Sequence, residues 1–313
     1  MYKNIFFIFC FCFACFFSVA QLRWKPVKQD SLPAGLKLFT TKGSLNGRPF
    51  IAYYAEANLK NKKLEFTTQV GNGQRYTPSQ FYTREGLPHL VVNGTFFSFA
   101  TNQNLNVIIR DGKILGYNFP ALKSRASDSF YYPTRSAIGI SKNRRADVAW
   151  IFTDTAQRWP YAFQSRPIVA RGKTNDPSLI DLNTIDPWKW WKMKTAIGGG
   201  PVLVQEGKIN ITNQEEQMFV NGLADLHPRT AMGYTKDRKL IILVVQGRDP
   251  GIAEGATLAE EAKILADLGC YEALNLDGGG SSCMLVNGKE TIKPSDKEGQ
   301  RPVPGVFIIR HNQ

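Results

Sequence analysis

Apolar and polar residues alternate in short runs along most of the chain, and this period of two predicts strands rather than helices. From Pro49 the sequence reads FIAYYAEANL and then KLEFTTQVGNG, two strands followed by a Gly-Asn-Gly turn. HLVVNGTFFSFA (89–100) is apolar, breaks at Asn93-Gly94 and resumes with aromatics. NVIIRDGKILG (106–116) places two β-rich runs around Asp111-Gly112, a hairpin signal. Further strands are expected at SAIGIS, ADVAWIF, PVLVQEGKI, RTAMGY, KLIILVVQG, YEALNL, CMLVNGK and GVFII. One stretch departs from the alternation. Over Thr257–Leu268, Leu258, Ala262, Leu265 and Leu268 share a helical face. Thr257 and Glu260 form a capping box there, and Gly269 stands at the terminating position.

The order strand KLIILVVQ, helix, strand EALNL predicts two parallel strands whose C-terminal ends share one sheet edge. The loops GRDPG (247–251) and DGGGSS (277–282) would then lie side by side at the edge where α/β units bind ligands. The remaining strands are too many for a doubly wound fold. The expectation is a single α+β domain, a strand-rich mixed sheet with a few flanking helices, spanning 49–313 behind a polar N-terminal arm at 21–48.

Composition changes this picture little: 313 residues, 43% hydrophobic and 21% charged, suit a globular core that needs no disulfide scaffold. The first 20 residues do change it. A Lys near the start, an apolar run from Ile5 to Phe17 and Ser18-Val19-Ala20 form a secretory signal pattern, too short for a membrane span. The chain is therefore expected to be exported, periplasmic or secreted, with no stable membrane span. A lipoprotein is the weaker reading, because Phe13-Ala14-Cys15 is a poor lipobox. Beyond the signal only Cys270 and Cys283 remain, read as two small buried thiols. The net charge of +13 suits an anionic partner, but no nucleic-acid motif or long basic block appears, so nucleic acid is not expected.

The stretch richest in chemistry is Asn275-Leu276-Asp277-Gly278-Gly279-Gly280-Ser281-Ser282-Cys283. Consecutive glycines let backbone N–H groups converge on an anion, the serines add hydroxyls, and Asp277 stands at the mouth. Asn93-Gly94-Thr95 presents an amide after a buried strand; it also matches a glycosylation sequon, but its apolar flanks argue against a glycan. Arg229, opening a strand, can clamp a phosphate or serve a structural salt bridge. A second triple glycine, Gly198-Gly199-Gly200, follows the aromatic and basic run PWKWWK (187–192). His89, His227 and His311 are far apart, with neither HExxH nor paired CxxC. No cofactor is expected; a divalent cation on Asp oxygens stays open.

These pieces in this order resemble the phosphodiester glycosidase family, a domain of many exported bacterial proteins. It also occurs in a mammalian enzyme that removes N-acetylglucosamine from a phosphodiester to expose mannose 6-phosphate. The resemblance runs over roughly 85–310 through NGTFF, IGGGPVLV, PRTAMGY, GRDPG, TLAEEA and LNLDGGGSSCMLVNGK. It implies a pocket with Asp277, Arg229, Asn93 and Ser281 as catalytic residues. Gly94, Asn106, Thr230 and the glycines Gly278, Gly279 and Gly280 would bind substrate. Gln246 stands where many members have Asp. The implied reaction is hydrolysis of a sugar-1-phosphodiester or phosphoglycan to sugar and phosphomonoester. Such a leaving group needs little acid help, so one carboxylate and a cationic clamp suffice. The rival readings are a non-catalytic glycan- or wall-polymer-binding protein and a metal-dependent phosphodiesterase.

Overall fold

The computed structural model describes residues 22–28, 32–119, 122–123, 130–131, 134–165, 188–219 and 223–312. The signal pattern at 1–20 and Pro187 lie outside them. Their strands form sheets of eight, seven and five strands and one two-stranded pair. The expectation of a strand-rich fold holds, but the sheets are not mixed: every pairing among the described residues is antiparallel.

The strand–helix–strand unit explains the difference. Lys239–Val245 and Cys270–Asn275 do run in the same direction, but Arg229–Thr235 lies between them and pairs antiparallel with both. The crossover helix Leu258–Asp267 therefore skips one strand. The loops expected to share an edge still do so. A Cβ on Gly279 would lie 3.0 Å from the Arg248 guanidinium.

That helix is capped as expected, with Thr257 and Glu260 exchanging side-chain and backbone bonds and Gly269 left-handed at φ +81°. Its buried face includes Glu261, which the apolar pattern did not suggest. A second helix, Pro78–Arg84, starts with the same device at Thr77 and Gln80 and with Pro78 in its first turn.

The N-terminal arm is largely strand. Leu36–Leu45 pairs along its length with Arg48–Asn58 through a two-residue turn, Asn46 at φ +51° and Gly47 at φ +81°. Both central residues of such a turn need positive φ, which Asn and Gly supply at least cost. Leu36 and Leu38 bury their side chains in the main core beside Ile242 and Phe307. The hairpin at Asp111-Gly112 forms as expected.

Cys270 and Cys283 are buried and unpaired, as the sequence suggested. No helix among the described residues is long and apolar enough to cross a membrane.

Candidate active site

The eight-stranded and five-stranded sheets meet where Leu90–Asn93 and Cys270–Asn275 end. Asn93 is the joint. Its fully buried amide donates to the Asp277 carbonyl at 2.6 Å and accepts from the Thr230 hydroxyl at 2.9 Å and the Cys283 N–H at 3.1 Å. Those bonds and its burial make it part of the frame, with one amide N–H left over. Thr230 donates to Asn93, and Asn106 accepts from Phe96 N–H and donates to the Gly199 carbonyl at 3.0 Å while lining a smaller cavity beside Phe96 and Phe219. Gly94 is a packing glycine, since a Cβ there would come within 2.3 Å of Ile197. These four residues build the frame of the site, and Asn106 also lines a cavity. Gly199 is small for the same reason, a Cβ there meeting the Asn275 carbonyl at 2.3 Å.

The DGGGSS loop forms a single 3₁₀ turn at Gly279–Ser281. Its backbone does not converge on an anion as the glycines suggested. The N–H groups of Gly279, Ser281 and Ser282 bond the carbonyls of Pro228, Gly278 and Gly279, and that of Gly278 bonds the Asp277 carboxylate. The glycines instead permit close approach. Gly279 takes φ +61°, and a Cβ on Gly280 would collide with Arg301 and Asp296.

What the loop frames is a cavity of about 520 Å³. Asp277 and the three glycines form one side, Arg229, Arg248 and Arg301 supply positive charge, and Asp225 and His227 complete the polar lining. Phe96, Met218 and Phe219 make an apolar wall, with the rings of Phe96 and Phe219 5.9 Å apart and edge to face. The cationic clamp is thus a set of guanidiniums, not a backbone nest.

Burial pushes the Asp277 carboxyl up to about 7, against the Ser281 hydroxyl, the Arg301 charge and the Gly278 N–H, which favour its ionised form. Ser281 also lies 3.5 Å from Arg301, so it links carboxylate and guanidinium. Arg301 is held by a two-pronged bond to Asp296 at 2.7 and 2.9 Å. Arg229 is buried, and two of its nitrogens satisfy the Ala256 and Asp225 carbonyls at 2.9 Å each. Nη1 has no protein partner among the described residues. Behind it lies Glu261, fully buried with neither oxygen hydrogen-bonded, its carboxyl pushed up to about 8 by burial although Arg229 pulls it down. Arg248 is exposed and left-handed at φ +59°, uncommon for a long side chain. Its Nη2 lies 3.3 Å from Nδ1 of His227, whose pKa burial, Arg229 and Arg248 all lower.

Two features behind the wall escaped the sequence. Asn275, a lining residue, donates to the Gly200 carbonyl at 2.8 Å, while its buried Oδ1 accepts from no group among the described residues. Glu216 takes five donors: Ser136 N–H and Oγ, Trp150 Nε1, Val202 N–H and Thr212 Oγ1. That fixes the turn carrying Met218 and Phe219. Arg248 and Asn275 lay within quoted motifs, whereas Arg301 and Glu216 had no local signal. Asp249 is turned toward Lys293 and Gln246, and Gln246 also accepts from the Lys293 N–H, so both are structural. The described residues contain no group of three or more His, Cys, Asp or Glu placed to hold a metal.

Comparison with known proteins agrees with this architecture. Residues 161–310 match the family described as phosphodiester glycosidase. An uncharacterised prophage-derived protein of Bacillus subtilis is 40% identical over 70 residues, 22% of this chain and 11% of that one. The N-acetylglucosamine-1-phosphodiester alpha-N-acetylglucosaminidase of Bos taurus is 35% identical over 83 residues, 26% of this chain and 15% of the bovine protein. These matches span only a small part of the curated relatives' length. The catalytic domain of the zebrafish enzyme of that name, auto-inhibited by its pro-peptide, superposes with TM-score 0.59 at 21% identity, covering 94% of this chain and 89% of that one. A hypothetical protein from Synechocystis gives TM-score 0.60 at 15% identity, covering 89% and 62%. Identities that low show a shared fold. Over residues 161–310 the chain matches the phosphodiester glycosidase family, and the quoted motifs and the shared fold agree with that match.

Proposed function

We propose that the protein is an exported hydrolase that cleaves N-acetylglucosamine from a sugar-1-phosphodiester, releasing the sugar and a phosphomonoester. One observation carries this reading: the carboxyl of Asp277 shares a cavity with three guanidiniums, an aromatic wall and one further carboxyl, that of Asp225. Arg229, Arg248 and Arg301 suit the phosphate, because guanidinium donors match its oxygens in charge and geometry. Phe96 and Phe219 offer faces for the apolar side of a sugar ring.

In the reaction the bond from the anomeric carbon to the bridging oxygen breaks, and the phosphate leaves with that oxygen and its electron pair. Water supplies the new oxygen on the sugar carbon and one proton to the product side. Asp277 acts while ionised, as base toward that water or as nucleophile. The guanidiniums stabilise the charge gathering on the leaving phosphate. Its carboxyl near 7 is half ionised at neutral pH, where a proton acceptor works best. This route draws its charge stabilisation from arginines, so chelators should leave the rate unchanged.

The test is a screen of sugar-1-phosphodiesters with hydrolysis in ¹⁸O-water. Label in the released sugar supports the proposal. Label in the phosphate points to a phosphodiesterase cutting the other bond. Binding without turnover of any member makes the protein a glycan binder.

A further inference from the structure

Arg301 stands between the cationic cavity and a second concavity of different chemistry. Its guanidinium lies 5.4 Å from the ring centre of Phe99, and that of Arg75 lies 5.2 Å from the same ring. Despite these neighbours Phe99 is 61% exposed. The loop that carries it continues through Thr101, Asn102 and Gln103, which help to line a cavity of about 390 Å³. Asn72, Asn104, Leu115 and Tyr117 complete the wall, and no charged side chain lines it.

The amides there are pre-set. Asn72 and Asn102 are left-handed, at φ +52° and +58°. Asn102 Nδ2 bonds the Gly73 carbonyl at 3.2 Å and Asn104 Oδ1 accepts from Thr95 at 2.6 Å. Each amide is thereby anchored by one atom, leaving Asn102 Oδ1 and Asn104 Nδ2 without protein partners among the described residues. An acceptor and a donor held in place, an exposed ring and a phenol suit vicinal hydroxyls and the C–H face of a neutral sugar. An alkyl tail would leave the amides unpaired. A chain of further phosphates would find no cation within the cavity.

We propose that this amide-lined cavity, which lies along the loop that follows Phe99, the ring that Arg301 contacts, binds sugar units on the leaving side of the phosphodiester. The substrate is then a phosphoglycan with two or more neutral sugars beyond the phosphate, not the phosphodiester of a small alcohol. The inference rests on the proposed seat of the phosphate at the guanidiniums.

Binding of product-like probes tests it without requiring turnover. Trisaccharides of glucose, mannose or N-acetylglucosamine carrying a 6-phosphate are titrated against the full chain, each beside its monosaccharide 6-phosphate. At least one trisaccharide should bind about tenfold tighter than its monosaccharide, roughly what a stacked ring and its hydrogen bonds supply. Phe99→Ala and Asn102→Gly, the glycine keeping the left-handed backbone, should erase that gain and leave monosaccharide phosphate binding within about twofold. No gain for any trisaccharide, or a gain kept by both variants, overturns the inference. Tight trisaccharide binding without hydrolysis of any phosphodiester would sink the glycosidase reading and leave the subsite standing.

Discussion

Replacing Asp277 by Asn should make the protein more stable and nearly inactive at once. The carboxyl is pushed from 3.8 to about 7 by burial, so the folded state prefers it protonated. Below pH 4 folded and unfolded chains both carry the proton, and the group is neutral to stability. Between about 4 and 7 the unfolded chain ionises first, so stability is lost as pH rises and stays lost above 7. Three pH units correspond to about 4 kcal/mol; partial exposure of the side chain to the cavity reduces this to about 2 kcal/mol. Asn keeps the acceptor that meets Ser281 and the backbone carbonyl that holds Asn93, but never ionises. Urea unfolding at pH 7.5 should therefore show the variant about 2 kcal/mol more stable, and at pH 4 the two proteins should coincide. Turnover should fall about 100-fold or more with substrate binding retained. A variant less stable than wild type at pH 7.5 would mean that Asp277 is an ordinary ion-paired carboxylate, and the assignment of its role would fall with it.

Three further changes probe the charge around it. Arg248→Ala removes an exposed guanidinium, so kcat/KM should drop roughly tenfold or more while urea stability moves by less than about 0.5 kcal/mol. Arg229→Lys should lose both, because an ammonium cannot serve the Ala256 and Asp225 carbonyls together; unfolding should register roughly 2 kcal/mol or more. Glu261 ionises near 8 beside Arg229 and then weakens its field, so wild-type kcat/KM should rise through pH 7 with Asp277 and decline above 8. In Glu261→Gln the rise should remain and the decline vanish; an unchanged decline would assign it elsewhere.

Much of the fold was legible because alternation and capping are local. The helix Leu258–Asp267 and the hairpin at Asp111-Gly112 formed where Thr257, Glu260 and the Asp-Gly pair put them. The arm at 21–48 was misread although Asn46-Gly47 is a strong hairpin signal, because the strand before it is exposed over residues 42–44 and so lacks a clean apolar face. At the site, Asp277 and Arg229 were found, since a lone carboxylate in a glycine run and an arginine at a strand start are visible in one dimension. Asn93, Thr230 and Asn106 were placed in the right neighbourhood with the wrong task. A sequence shows that a polar residue sits beside a site, but only geometry shows which groups its hydrogen bonds are already spent on. Arg301 and Glu216 reach the site from loops whose local composition is unremarkable, so only the tertiary fold brings them in.

The strand Leu90–Asn93 lies between Met284–Val286 and Gly305–His311, and Arg48–Asn58 lies against Lys239–Val245. The segment that matches the family, 161–310, therefore lacks Leu90–Asn93 and Arg48–Asn58, which close its own sheets. Expressed alone, it would bare the backbone of five strands and lose the amide that ties Asp277 to its frame. Such open edges pair with one another between molecules. The recognisable signature and the unit able to fold are thus different lengths of chain, and a fragment cut to the signature should aggregate before it could be assayed.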